Sequence, residues 1–114
     1  MNRVIRPLII EMLGHSSEVN ITFGVLKKIE DRISIPKYLG DVQYYKANIS
    51  DTAWVIYSAV GSEYKLTYDD VGEFCIDNLE KANVIAMEII AKLISPKSDK
   101  KKEPEVQKEK KRKK

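Results

Sequence analysis

Hydrophobic positions along this chain change their spacing several times, and each change predicts an element. The run "RPLIIEMLGHSS" predicts a short first helix, with Pro7 in a first turn, where a missing N–H matters least, and Gly14 as its stop. In "EVNIT", Val19 and Ile21 alternate with polar neighbours, which predicts a short strand. Thr22 then caps "FGVLKKIEDRI", whose Val25, Leu26, Ile29 and Ile33 recur at helical spacing. Ser34 and Pro36 open a third helix that runs to about Asn48. Its apolar face comprises Ile35, Leu39, Val42, Tyr45 and Ile49. Lys37, Asp41, Tyr44 and Asn48 stand opposite, with Tyr38 and Lys46 on the flanks.

A switch to period two follows in "AWVIYSAV", which predicts a strand. "GSE" supplies a turn and "YKLTY" a return strand, so Trp54, Tyr57 and Tyr64 read as cross-strand partners in a hairpin. Thr67 caps a last helix over about residues 69–94, with Asp69, Asp70 and Glu73 near its start, where the helix dipole favours negative charge. Along that helix Cys75, Leu79, Ala82, Ala86, Ile89 and Leu93 form an unbroken heptad seam, which Ile76, Met87, Ile90 and Ile94 widen. Twenty-six residues of helix extend about 39 Å at 1.5 Å per residue. A domain this small covers only the first half, so Cys75, Leu79, Ala82, Ala86, Ile89, Ile90 and Leu93 are the expected dimer interface. The competing arrangement folds the helix back onto the chain's own first helix.

Charge divides the chain at Pro96. Residues 97–114, "KSDKKKEPEVQKEKKRKK", hold ten Lys/Arg against four Asp/Glu, a net of +6, which leaves a net of −3 on residues 1–96. With one aliphatic residue, Val106, the tail cannot offset its ordering entropy by burial and is expected to be disordered. Its lysines, together with Lys110, Lys111 and Arg112 at the end, suit a polyanion through counterion release. A single cysteine excludes an internal disulfide framework. No apolar run is long enough for a membrane span and no charged-then-apolar leader is visible, so a cytoplasmic or nucleoid-associated chain is expected. No cofactor or metal is expected. With one histidine, His15, no phosphate-cradling glycine loop and no Cys/His ligand spacing, the residues do not point to an enzyme.

The expected order is helix, strand, helix, helix, hairpin, helix, an α+β arrangement that resembles the winged helix-turn-helix family. "GSEYKLTYDD" is similar to the wing's return strand in PadR- and MarR-type regulators, with Gly61, Tyr64, Leu66 and Thr67 in place and Asp70 where glycine is usual. The long last helix resembles that of archaeal chromatin-associated winged-helix dimers. The resemblance implies a domain over residues 1–96, a C-terminal dimerisation helix and a homodimer on double-stranded DNA, acting as transcription regulator or chromatin-architectural factor. It places Lys37, Tyr38, Tyr44 and Lys46 on DNA, with Lys65 on the wing. Asp41 in the reading face, Glu63 in the turn and the negative domain favour instead a protein-interaction module within a transcription or replication assembly, the tail alone touching nucleic acid.

Overall fold

The computed structural model describes residues 6–94, an α+β fold of five helices on a two-stranded antiparallel sheet. It begins with a hairpin where a helix was expected. Strands β1 (Pro7–Met12) and β2 (His15–Asn20) pair from Pro7 opposite Asn20 to Met12 opposite His15. Leu8, Ile10 and Met12 turn inward while Ile9 and Glu11 face out, so the apolar cluster obeys period two. Leu13 and Gly14 form the connection at φ 48° and 81°, the paired positive angles of a two-residue turn that matches strand twist. Gly14 is thus a turn residue. The expected strand "EVNIT" is the end of β2, and Ile21 drops from it into the core.

Helix α1 (Phe23–Glu30) starts where Thr22 Oγ1 accepts from the Val25 N–H at 3.3 Å. Helix α2 (Ile35–Gln43) starts where Ser34 Oγ accepts from the Lys37 N–H. It stops short of the expected Asn48. Tyr45 adopts φ 60°, its N–H bonds to the Val42 carbonyl, and the Lys46 N–H returns to the Asp41 carbonyl. These are the two bonds of a Schellman ending, with tyrosine in the place glycine usually takes.

Residues expected to form the wing are helical. Helix α3 (Ile49–Tyr64) absorbs "AWVIYSAV", the expected turn "GSE" and the start of the expected return strand. Neighbours surround it: α1 and β2, then α4 (Tyr68–Asp77) and α5 (Leu79–Ile94). Val55, Ile56, Ala59 and Val60 are therefore all buried, and no polar stripe betrays a helical period. The hydroxyl of Ser58 donates to the Trp54 carbonyl, so a buried polar group inside the helix is satisfied.

Lys65 ends α3 in the left-handed region at φ 56°, and the Leu66 N–H bonds to the Gly61 carbonyl. A side chain in that region costs roughly 1–2 kcal/mol relative to the right-handed one, a cost glycine escapes. Lys65→Gly should therefore raise the unfolding free energy by about 1 kcal/mol in a urea titration. An unchanged or lowered midpoint would show that Lys65 makes a compensating contact.

Thr67 and Asp70 then form a reciprocal capping box, each side chain accepting the other's N–H at 3.0 Å. The single helix expected over 69–94 is two helices, broken at Asn78 (φ −138°, ψ 52°). At 16 residues α3 is about 24 Å long, and a straight helix of 39 Å could not lie on it along its whole length. The break lets Val71, Phe74 and Cys75 of α4, and Ala82, Ile85, Ala86, Ile89 and Ile90 of α5, all enter one core. Five of the seven residues expected at a dimer interface are thus covered by their own chain. Only Leu93, half-buried, and Leu79, 41% exposed, differ. The expectation of a disordered tail falls on residues 97–114, outside those described.

Candidate functional site

The residues expected to touch DNA separate in the structure. Lys37 is exposed on the first turn of α2, where its Nζ meets Asp41 Oδ2 at 2.9 Å; that hydrogen bond and the Asp41 charge hold its pKa above the ordinary value. Tyr38 is core, 1% exposed, with its hydroxyl 2.7 Å from Thr52 Oγ1 on α3. Burial pushes its pKa up. The apolar face of α2 is thus Ile35, Tyr38, Leu39 and Val42, and Tyr38 is not available to a ligand. Tyr44 and Lys46 are exposed in the connection to α3. Tyr45, expected in the core, is 97% exposed, because the helix ends before its side chain can turn inward. Lys65 lies past the far end of α3, a helix about 24 Å long, and does not join the group. Lys110, Lys111 and Arg112 fall outside the described residues.

Other candidates have structural partners. His15 stacks on Tyr64 with ring centroids 4.5 Å apart. The Tyr64 hydroxyl donates to the Ile10 carbonyl at 2.6 Å, pinning the end of α3 to the hairpin. Cys75 is buried, and its surroundings push the thiol pKa up to about 11, far from the range of a reactive thiolate.

Two features missed in the sequence meet around the first turns of α3 and α4. One is a cluster of rings and cations. Trp54, Tyr57 and Tyr68 lie with centroids 5.5–5.9 Å apart. The guanidinium of Arg32 sits 4.3 Å from the Trp54 centroid and 5.2 Å from that of Tyr68, while Lys28 Nζ lies 4.4 Å from Tyr57. Polar ends are matched: the Trp54 indole donates to the Lys28 carbonyl and the Tyr68 hydroxyl to the Ser50 carbonyl, both at 3.0 Å. The cluster clamps α1 to α3 and α4, each cation–ring contact contributing about 0.5–1 kcal/mol at such partly exposed positions.

The second feature begins where Tyr68 ends. A groove of about 330 Å³ runs between the start of α3 and α4, lined by Ile49, Ser50 and Ala53 on one side and Gly72 and Ile76 on the other. Along α4, Tyr68, Gly72 and Ile76 form one row at spacing four, and Asp69, Glu73 and Asp77 form the row beside it. Asp69 and Glu73 line the groove. Ile76 is 61% exposed and Ile49 39%. A smaller hollow lined by Val42, Tyr45, Ala47 and Leu79 opens near the same end of α3. The sequence did carry one signal: Ile76 lies off the heptad seam, in the stripe that widened the last helix beyond one seam's need. Nothing in it indicated that α3 would supply the opposite side.

Among the described residues, no cluster of His, Cys, Asp and Glu has the geometry to hold a metal ion, and no helix is long and apolar enough to cross a membrane. Comparison with protein-family models, with curated proteins and with solved structures returns no match for this chain.

Proposed function

We propose that this chain is a protein-interaction module whose lysine-rich tail tethers the bound partner to a polyanion such as nucleic acid. The observation that carries the reading is the exposed apolar surface around the start of α3, where Ile49, Ile76, Leu79 and Tyr45 leave large side chains in water. Exposed apolar side chains gathered in this way and bordered by charge are typical of protein contact sites. The charge division supports the second half of the reading: the net −3 of residues 1–96 repels phosphate, and the net +6 of residues 97–114 attracts it.

A homodimeric DNA-binding winged-helix regulator or chromatin factor is the other reading. Its support is the resemblance at Gly61, Tyr64, Leu66 and Thr67, together with Lys37, Tyr44 and Lys46 exposed on α2 and the connection after it. The helical conformation of the segment expected to be the wing places it second. Its homodimer would need a surface other than the seam that α3 covers.

A duplex-DNA titration separates the two. Full-length protein should bind with a log–log salt slope of about −5, from six neutralised phosphates at 0.9 each. A chain ending at Pro96 should lose about a thousandfold in affinity at low salt, and Lys37→Ala and Tyr44→Ala should leave full-length binding unchanged. Undiminished binding by the shortened chain, weakened by those two substitutions, would replace the first reading with the second.

A further inference from the structure

Resting on the interaction-module reading, we infer that the groove between α3 and α4 receives an amphipathic helical segment of a partner protein. Its apolar side chains enter beside Ile49 and Ile76, and its lysines or arginines lie along Asp69, Glu73 and Asp77. Shape points to a helix. Ser50, Ala53 and Gly72 keep the lining low, so a backbone can approach closely. At Gly72, as at Gly40 in α2, a Cβ would meet no atom of the described residues within 4 Å. Mid-helix glycine costs roughly 1 kcal/mol relative to alanine, and no neighbour among the described residues requires the missing side chain at Gly72. An occupant of the groove would.

Charge selects the occupant. Helix α4 carries Asp69, Asp70, Glu73 and Asp77 and no basic residue. Asp70 closes the capping box, while Asp69, Glu73 and Asp77 have no salt-bridge partner among the described residues, where the one ion pair is Lys37–Asp41. An apolar row beside an acidic row on the same helix is complemented by an apolar row beside a basic row on another, the side-chain arrangement of a helix-in-groove contact. Acidic segments are repelled by the same row.

The test uses full-length protein and two synthetic 15-residue helical peptides with leucines on one face, the remaining positions being lysine in one and glutamate in the other. Methyl NMR signals of Ile49 and Ile76 report the groove directly. Fluorescence of Trp54, the chain's one tryptophan and 5.5 Å edge-on from Tyr68, gives an independent readout. The lysine peptide should shift both methyl signals and bind about tenfold more tightly at the groove than the glutamate peptide, as two or three exposed ion pairs allow. Gly72→Leu should fill the groove and remove the response while the protein stays folded by circular dichroism. The double variant Asp69→Lys with Glu73→Lys should exchange the preference for the glutamate peptide.

Equal response to both peptides, or none from either, would overturn the inference. So would methyl signals that already move with protein concentration, which would give the groove to a second copy. A change in those signals on removing residues 97–114 without peptide would assign the groove to the chain's own tail and overturn it equally. Each of these outcomes leaves the duplex-DNA titration free to decide the interaction-module reading by itself.

Discussion

Ala86→Glu is expected to abolish the cooperative thermal transition of this protein. Ala86 is fully buried on α5, the helix that packs against α3. A carboxylate there would lose its hydration in apolar surroundings at a cost of several kcal/mol, and the extra methylenes would add roughly 1–3 kcal/mol of overpacking. A domain of this size has about 5–15 kcal/mol of stability in all. The reading of Ala86 as a dimer contact gives a different outcome, a folded monomer that still melts cooperatively. Circular dichroism on heating, paired with sedimentation, separates the two. A native melt with half the original mass would return Ala86 to an interface between copies.

Tyr38→Ala should lower the unfolding free energy by about 3–5 kcal/mol, the usual cost of deleting a buried aromatic ring. Its hydroxyl joins a short buried network with Thr52, whose Oγ1 also donates to Asn83 Oδ1 at 3.2 Å, so the ring ties α2 to α3 and, through Asn83, to α5. Tyr38→Phe keeps the ring and leaves Thr52 with its Asn83 partner, so it should cost only about 1 kcal/mol. Urea titrations of the three proteins give both differences. If Tyr38→Ala melted like the parent and selectively weakened duplex binding, Tyr38 would be a contact residue after all.

Both results bear on how the molecule divides its work. Helix α3 organises the folded part, since α1, α4, α5 and β2 all pack on it. Packing in the core buries Ala82, Ile85, Ala86, Ile89 and Ile90 of α5 and Val71, Phe74 and Cys75 of α4. Ile49, Ile76, Leu79 and Tyr45 remain exposed, as do Ile9, Phe23, Val84 and Ile94 elsewhere on the surface. Ile49 and Ile76 face one groove, and Tyr45 and Leu79 line the smaller hollow near the same end of α3. The aromatic clamp at Arg32 and Trp54 borders the groove through Tyr68, and it fixes how α4 is held against the start of α3.

What the sequence determined by itself was local. Thr22, Ser34 and Thr67 each cap the helix expected to follow, because an N-cap bond joins a side chain to a backbone N–H three residues on and needs no tertiary partner. The helical spacing of Val25, Leu26 and Ile29 sufficed for α1, since one side of that helix faces water. The tail's charge was likewise plain from composition. Tertiary structure decided the rest. A helix covered on nearly every side has no polar stripe, so "AWVIYSAV" carries the pattern of a β-branched strand while α1, α4 and α5 surround it as a helix. In "PLIIEM" the apolar residues fit either period, and the two-residue turn at Leu13–Gly14 with a partner strand settled them as β1. The heptad from Cys75 to Leu93 was real as spacing, yet both halves had to cover one short helix, and the chain bends at Asn78 to do so. The groove was the least legible feature, because Ile49 and Ile76 are 27 residues apart and meet only when α4 folds back across the start of α3.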